Sequence, residues 1–208
     1  ITSGFLLARD NMSSMSIALY TKYRPESFDE VIGQDHIVTP LKRALAQGKV
    51  GHAYLFYGSR GLGKTTVARI LAKELGTTER DVFEIDAASN TGVDDIRALR
   101  EEIRSLPYES KYKVYIIDEV HMLSKSAFNA LLKTLEEPPT HVKFILATTE
   151  LHKVIETIIS RCEVYTFKKP TVSLLQDYAE MLAEKEGRSI EAGAARIIAL
   201  LGDGSFRD

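Results

Sequence analysis

The sequence has little that a secreted or membrane-spanning protein needs. Its one cysteine, Cys162, cannot form an internal disulfide or a four-cysteine zinc site, which is typical of a chain in a reducing cytosol. No apolar run has the length that a bilayer-spanning helix needs. The apolar run at residues 5–8 is too short and lacks the charged start of a signal peptide. We therefore expect a cytoplasmic protein without a membrane partner.

The chain also lacks a large charge excess of either sign. It has 27 basic and 29 acidic residues, for a formal net charge of −2. No global field draws such a chain to nucleic acid, so any contact with DNA must be local. The length of 208 residues and the hydrophobic content of 44% predict a globular protein of one or two domains with a substantial core.

What the sequence does contain is a glycine-rich stretch that fits the pattern G-x-x-x-x-G-K-[ST] without a mismatch. Glycines lower the steric cost of turning backbone N–H groups inward around a polyphosphate. Lys64 would reach the β- and γ-phosphate oxygens, and the Thr65 hydroxyl would ligate Mg²⁺. The alternative is a glycine turn before an ordinary helix. The predicted nucleotide-binding residues of this stretch are Gly58, Ser59, Arg60, Gly61, Leu62, Gly63, Lys64, Thr65 and Thr66.

The segments on either side of the loop support a phosphate-binding role. Residues 53–57 are an apolar run that predicts a short buried strand, and an apolar helical face extends from Val67 to Leu75, just before Gly76. The loop would then join a strand to a helix N-terminus, where free amides and the helix dipole favour an anion.

Two carboxylates, Asp118 and Glu119, end the strand predicted at residues 113–119. In an open α/β sheet ligands gather at the carboxyl ends of strands, which aims both acids toward the phosphates. Asp118 would hold Mg²⁺ through a water, and Glu119 would act as general base on the attacking water. The alternative for such a pair is a solvated strand end. Thr148 and Thr149 would either contact the γ-phosphate or the attacking water, or merely end a strand.

Predicted strands alternate with predicted helices along most of the chain. Further strands are expected at 82–86, 142–147 and 163–167, and helices at 36–47, 93–105, 124–136 and 151–161. Strands separated by helices predict an α/β fold with a five-stranded parallel, doubly wound sheet. After residue 170 the pattern is helical only, with helices at 172–186 and 189–201. We expect disordered leader or cloning-derived residues at 1–14, an α/β domain at 15–169 and an incomplete helical domain at 170–208.

Several further stretches carry a family signature: Tyr23-Arg24-Pro25, Gly33-Gln34, and residues 84–89, 117–123, 131–139, 147–149 and 160–162. Together with the glycine loop they closely resemble the AAA+ clamp-loader subunits, in particular the gamma/tau type of bacterial DNA polymerase III. The resemblance covers about residues 16–208, and the run from Asp118 to Pro139 is its most specific part.

The resemblance implies a P-loop AAA+ ATPase domain followed by the start of a helical lid. It implies an ATP-hydrolysing, Mg²⁺-dependent motor that loads a sliding clamp onto primed DNA during replication. The implied partners are other clamp-loader subunits in a hetero-oligomeric ring, the sliding clamp, and primer-template DNA contacted without reading its sequence. Two alternatives remain: a structural loader arm, which a degraded glycine loop would mark, and another AAA+ machine such as a branch-migration helicase.

The resemblance also implies catalytic roles. Thr149 would be the polar sensor at the γ-phosphate, with Thr148 as the other possible register. Arg161 would act in trans, as an arginine finger on ATP bound by the neighbouring subunit. With Glu119 as general base, the implied catalytic set is Glu119, Thr149 and Arg161.

Other implied contacts lie around the nucleotide and along two partner-facing surfaces. Arg207 would link the lid to the phosphates, and Arg24, Val31 and Ile32 would contact the adenine side. On its residues alone, the proline-broken aromatic segment at 16–25 is either a domain edge or a nucleobase contact. Residues 90–92 would face the DNA backbone, and the helix beginning near residue 124 would face the clamp.

Two features depart from the family pattern. Most gamma/tau subunits insert a four-cysteine zinc module before the strand at 82–86, whereas residues 76–81 here contain no cysteine, so we expect no zinc. The chain also stops before the collar domain through which these loaders form rings, so we expect a fragment. Cys162 is then expected to be a small buried residue rather than a reactive thiol.

Overall fold

The computed structural model describes residues 18–89 and 102–207. The expectation of disordered leader residues at 1–14 therefore lies outside the described residues. Most of the helix predicted at 93–105 also lies outside them, although the described residues 102 and 103 are helical.

A five-stranded parallel sheet forms the centre of the protein. Its strands are β1 (Ala53–Tyr57), β2 (Val82–Asp86), β3 (Lys113–Asp118), β4 (Val142–Thr148) and β5 (Glu163–Thr166). They lie in the order β2-β3-β4-β1-β5, and each neighbouring pair is parallel. β1, β3 and β4 are buried along almost their whole length, which explains their nearly continuous apolar sequences. The predicted fold is confirmed, and every strand ends within one residue of its predicted bounds.

Helices cover both faces of the sheet. They are α1 (Leu19–Lys22), α2 (Asp35–Ala46), α3 (Lys64–Glu74), α4 (Lys125–Glu136), α5 (Glu156–Ile159), α6 (Val172–Lys185) and α7 (Ala192–Leu201). Side chains alternate along each strand, so β3 sends Ile116 to the cluster under α2 and α3, and Tyr115 to the cluster under α4 and α5. Because side chains on both faces of the sheet are buried, the strands are held in place. The residues that follow β1, β3 and β4 are therefore held in defined positions at one edge of the sheet.

The single helix predicted at residues 151–161 is wrong. The structure has a 3-10 turn at Leu151–Lys153 and then the four-residue helix α5. Val154 and Ile155, both β-branched, have extended backbones with ψ of 129° and 140°, and they separate the two turns. The apolar spacing that favours a helix is satisfied instead by two short turns, which bury Val154 and Ile158 in the core.

The C-terminal helices α6 and α7 pack on each other after the last strand. α6 begins after Thr171, whose hydroxyl accepts a hydrogen bond from Leu174 N at 3.2 Å, and α7 begins three residues later than predicted. Gln34, which is 1% exposed, binds the connecting segment through both ends of its amide. Its Nε2 donates to Lys168 O at 2.8 Å, and its Oε1 accepts from Lys168 N at 3.1 Å. The domain boundary at residue 170 stays a prediction.

Candidate active site

The glycine loop joins β1 to α3, as the sequence predicts. β1 ends at Tyr57 and α3 begins at Lys64, so the last loop amides lie at the start of the helix. Gly61 and Gly63 have φ of 76° and 89°, a left-handed conformation that favours glycine. A Cβ at Gly61 would also lie 1.9 Å from Ser205 Oγ, so a larger residue would collide with the C-terminal segment. The loop path and this close contact both require glycine.

Lys64 lies inside the loop and is only 6% exposed. Its Nζ donates to Gly58 O at 2.8 Å and to Ser59 O at 2.9 Å. Burial lowers the pKa of this ammonium, while the charges of Glu119 and Asp118 act in the opposite direction. A buried cation held by neutral carbonyls at a helix N-terminus is a strong attractor for a phosphate anion.

Thr65 and Asp118 supply oxygen atoms that suit a hard cation. The Thr65 hydroxyl donates to Asp118 Oδ2 at 2.7 Å, and Asp118 Oδ1 accepts from Glu119 N at 2.9 Å. A hydroxyl and a carboxylate beside a phosphate site match the ligands that Mg²⁺ prefers, so these residues fit the predicted metal role. Among the described residues, no group of three or more His, Cys, Asp and Glu side chains is arranged to hold a metal ion.

Glu119 has an unusual backbone immediately after β3. Its φ and ψ are 46° and 44°, the left-handed region that non-glycine residues seldom adopt. Its Oε2 accepts hydrogen bonds from Thr149 N at 3.2 Å and Thr149 Oγ1 at 3.0 Å. Strained backbone of this kind concentrates at functional sites, where the surrounding structure enforces it. The ends of β3 and β4 thus bring together the general base and the sensor residue predicted from the sequence.

The two threonines after β4 make different contacts. Thr149 reaches Glu119, whereas the Thr148 side chain is fully buried and lies 3.0 Å from His121 Nδ1. Thr148 Oγ1 also accepts from Glu150 N at 3.0 Å, which fixes the turn after the strand. This arrangement favours Thr149 over Thr148 in the predicted sensor role.

A cavity of about 620 Å³ opens over the loop. Its lining includes Arg60 to Val67 of the loop and α3, the two acids Asp118 and Glu119 at the end of β3, and Arg24, Val31 and Ile32 from the N-terminal segment. Gly58 and Ser59 do not line it; their carbonyls hold the Lys64 ammonium instead. The cavity therefore unites all the predicted adenine-side residues with most of the predicted phosphate-side residues, but not with Gly58, Ser59 or Thr149.

The C-terminal segment closes one side of this cavity. Phe206 N donates to Gly61 O at 3.0 Å, so the chain after α7 is tied to the glycine loop itself. Arg207 lines the cavity and lies over the Tyr20 ring, with 5.0 Å between its guanidinium carbon and the ring centroid. Burial lowers the pKa of Arg24, and the charges of Arg69 and Arg207 lower it further against the opposite effect of Glu84. The positive charges of Arg24 and Arg207, both at the cavity, make this side receptive to negative charge.

Arg161 does not line the cavity over the glycine loop of its own chain. Its Nη2 donates to Glu136 at 2.8 Å and its Nη1 donates to Thr157 O at 2.6 Å. The side chain is 33% exposed, so the guanidinium is within reach of another molecule. The predicted DNA-facing residues Asn90, Thr91 and Gly92 lie outside the described residues.

The lone cysteine, Cys162, is partly rather than fully buried, against the core cluster under α4 and α5. Burial raises the pKa of its thiol to about 12, so the reactive thiolate is scarce at neutral pH. This environment is that of a small apolar residue, as expected from the sequence.

Sequence reasoning missed several residues of the site. Asp86, Tyr178 and Phe206 also line the cavity, together with Tyr20 of the segment that could be either a domain edge or a nucleobase contact. Asp86 had a signal, because it ends β2 directly beside Asp118 in the parallel register. Tyr178 and Phe206 had none, because their place depends on how the C-terminal helices fold back on the loop.

Comparison with known proteins places the chain among DNA polymerase III subunits. A family profile described as "DNA polymerase III, delta subunit" matches residues 33–84 and 77–171. The chain is 49% identical to "DNA polymerase III subunit tau" of Bacillus subtilis (strain 168), over 92% of this chain and 38% of that protein. It is 43% identical to "DNA polymerase III subunit gamma/tau" of Mycobacterium tuberculosis (strain ATCC 25618 / H37Rv), over 92% and 37%. The chain thus spans well under half the length of these relatives.

Solved structures show the same fold. The Thermotoga maritima RuvB Holliday junction branch migration motor is 29% identical, with a TM-score of 0.73 over 88% of this chain and 61% of that one. RuvB shares the AAA+ fold, whereas the higher sequence identities are to gamma and tau subunits. With the profile match across the sheet, the strand order and the intact glycine loop, these findings show that the chain belongs to the AAA+ clamp-loader family of DNA polymerase III subunits and groups with its gamma/tau members.

Proposed function

We propose that the chain binds ATP with Mg²⁺ and hydrolyses it as a motor subunit of a clamp loader, which places a sliding clamp on primed DNA during replication. The observation that carries this proposal is the buried Lys64 ammonium beside the Thr65–Asp118 pair and Glu119, all at one cavity. A structural arm without nucleotide has no need of this set. The match to gamma and tau subunits favours clamp loading over branch migration.

In the proposed reaction each residue has a separate task. Loop amides and Lys64 would hold the β- and γ-phosphates, and Thr65 and Asp118 would hold Mg²⁺, which neutralises charge developing on the phosphates. Glu119 would take a proton from the attacking water as its oxygen bonds to the γ-phosphorus, while the bond to the leaving ADP oxygen breaks. Thr149, which contacts Glu119, would align the water and γ-phosphate.

The proposed partners are the other subunits of a hetero-oligomeric ring, the sliding clamp and primer-template DNA, and the proposed compartment is the cytoplasm. Within the described ranges, no helix is long and apolar enough to cross a membrane. Arg207, which follows the segment tied to Gly61, would report the nucleotide state to the C-terminal helices. Such a link would let ATP binding order the ring and hydrolysis release the clamp.

Clamp loading and branch migration can be separated by their activators. The full-length subunit, assembled with its loader partners, should hydrolyse ATP faster when sliding clamp and primer-template DNA are added together. Four-way branched DNA should give no such increase. A rate that rises with branched DNA and ignores the clamp would assign the chain to branch migration instead.

The arginine finger assignment predicts a loss that depends on assembly. Arg161→Ala should leave ATP affinity within about 2-fold but slow hydrolysis in the assembled ring by roughly 10³-fold, as for other finger arginines. The reason is that the Arg161 side chain is partly exposed and does not line the cavity over its own glycine loop, so it would act on ATP held by the neighbouring subunit. Glu136→Ala is the matched control, since it removes the ion-pair partner and leaves the guanidinium. An unchanged ring rate for Arg161→Ala would refute the role in trans.

A further inference from the structure

His121 is a buried titratable residue that the proposed reaction leaves without a task. It lies in the 3-10 turn Val120–Met122 that follows the two acids, and its side chain is 6% exposed. Val120, next to it, is fully buried in the core, so this turn is firmly anchored. A nearly buried imidazole in such a turn needs partners at both ring nitrogens.

Both ring nitrogens of His121 have polar partners, and two of these are carboxylates. Nδ1 lies 3.3 Å from Glu119 Oε2 and 3.0 Å from Thr148 Oγ1. Nε2 lies 3.1 Å from Glu150 Oε2. Glu150 in turn accepts a hydrogen bond from Lys153 at 2.8 Å. The imidazole therefore bridges the end of β3 to the turn that follows β4.

These contacts converge on Oε2 of Glu119, the proposed general base. Glu119 Oε2 is approached by His121 Nδ1 and by the amide and hydroxyl of Thr149. The Glu119 side chain is 30% exposed and has several rotatable bonds, so it would sample many rotamers unless neighbours held it. His121 is fixed at its far side by Glu150, which makes it a rigid support rather than another mobile partner.

We propose that His121 is a positioning residue for ATP hydrolysis that carries an N–H on each ring nitrogen: Nδ1–H directs the Glu119 carboxylate, and Nε2–H donates to Glu150, which orients the ring. This inference rests on the proposed function, in which Glu119 is the general base. A general base must lie within hydrogen-bond reach of the water, and a misplacement of about 1 Å can cost roughly 10²-fold in rate. His121 itself touches neither the nucleotide cavity nor the reacting atoms.

Three substitutions separate this role from simple packing. The Asn amide can donate at the position of Nδ1, the longer Gln amide reaches the position of Nε2, and Phe fills the space without donating. In the full-length subunit assembled with its loader partners, His121→Gln and His121→Phe should lower kcat by about 10- to 30-fold, with KM within about 2-fold. His121→Asn should stay within about 3-fold of the unsubstituted protein.

The pattern among these variants decides the inference. A loss for Asn as large as the losses for Gln and Phe would show that a donor at the Nδ1 position does not matter, and a normal kcat for Phe would assign His121 to packing; either result overturns the proposal. If the Phe variant does not fold, the contrast between Asn and Gln still decides, because only one of them restores the contact with Glu119.

A double substitution tests whether His121 acts through Glu119. In a Glu119→Gln background, measured by single-turnover hydrolysis, His121→Phe should slow the remaining reaction by less than about 2-fold, because residues that act as a unit are not additive. A further tenfold loss would contradict the proposal. A normal hydrolysis rate for the single variant Glu119→Gln would contradict the proposed function itself. A slow Glu119→Gln together with a normal rate for the single variant His121→Phe would contradict only the role of His121.

Discussion

Lys64→Ala is expected to remove detectable ATP binding. Lys64 is the cation of the glycine loop, and on ATP binding we expect its Nζ to exchange the carbonyls of Gly58 and Ser59 for phosphate oxygens. Charge-assisted hydrogen bonds to phosphate in a nearly buried site are strong, so affinity should fall by at least about 100-fold, or about 2.8 kcal/mol. Isothermal titration with ATP and Mg²⁺ measures this directly.

Lys73→Ala is the matched control for that experiment. Lys73 lies in the last turn of the same helix, is exposed, and contacts only the Glu26 carbonyl at 3.4 Å among the interactions described. Its removal should leave ATP affinity within about 2-fold, because an exposed charge more than one helical turn away is screened. Tight ATP binding by Lys64→Ala would contradict the phosphate assignment.

Glu119→Gln should bind ATP almost normally but hydrolyse it slowly. The amide keeps the size of the side chain and an oxygen that can still accept from Thr149. It cannot take a proton from water, so the single-turnover rate should fall by about 10²- to 10⁴-fold. Quenched-flow hydrolysis with the full-length subunit in its assembled loader gives this rate, and filter binding gives the affinity.

Glu137→Gln controls for the loss of a carboxylate elsewhere. Glu137 is exposed at the end of α4, away from the cavity lining, and its substitution should change the rate by less than about 2-fold. A normal rate for Glu119→Gln would remove Glu119 from catalysis and would leave its strained backbone without a functional reason.

The sheet and the phosphate side of the site were predictable because local sequence determines them. β1 and β4 are central strands buried on both faces, so their apolar runs reveal them without knowledge of neighbours. Asp118 and Glu119 could be placed since parallel strands point their carboxyl ends to one edge. The roles of Arg161 and Arg207 came only from the family resemblance, which also chose the sensor role for Thr149 over a mere strand end, and all three remain predictions.

What the sequence did not reveal depends on contacts between distant segments. Phe206 N donates a hydrogen bond to Gly61 O, and the Gln34 side chain donates one to Lys168 O. Neither contact leaves a pattern in the sequence from which it could be predicted. Around Val154 the apolar spacing is that of a helix, yet the backbone there is extended between two short turns. Packing of these side chains against the sheet outweighs the local helical propensity. The bridge from His121 to two carboxylates required the side-chain positions themselves.

The most direct measurement is a structure of the chain with a non-hydrolysable ATP analogue and Mg²⁺. The account predicts the β- and γ-phosphates against the amides of residues 61–65, with Lys64 Nζ moved from the Gly58 and Ser59 carbonyls to phosphate oxygens and Mg²⁺ between Thr65 and Asp118. A structure with the analogue bound elsewhere, or with Lys64 still hydrogen-bonded only to those carbonyls, would contradict it.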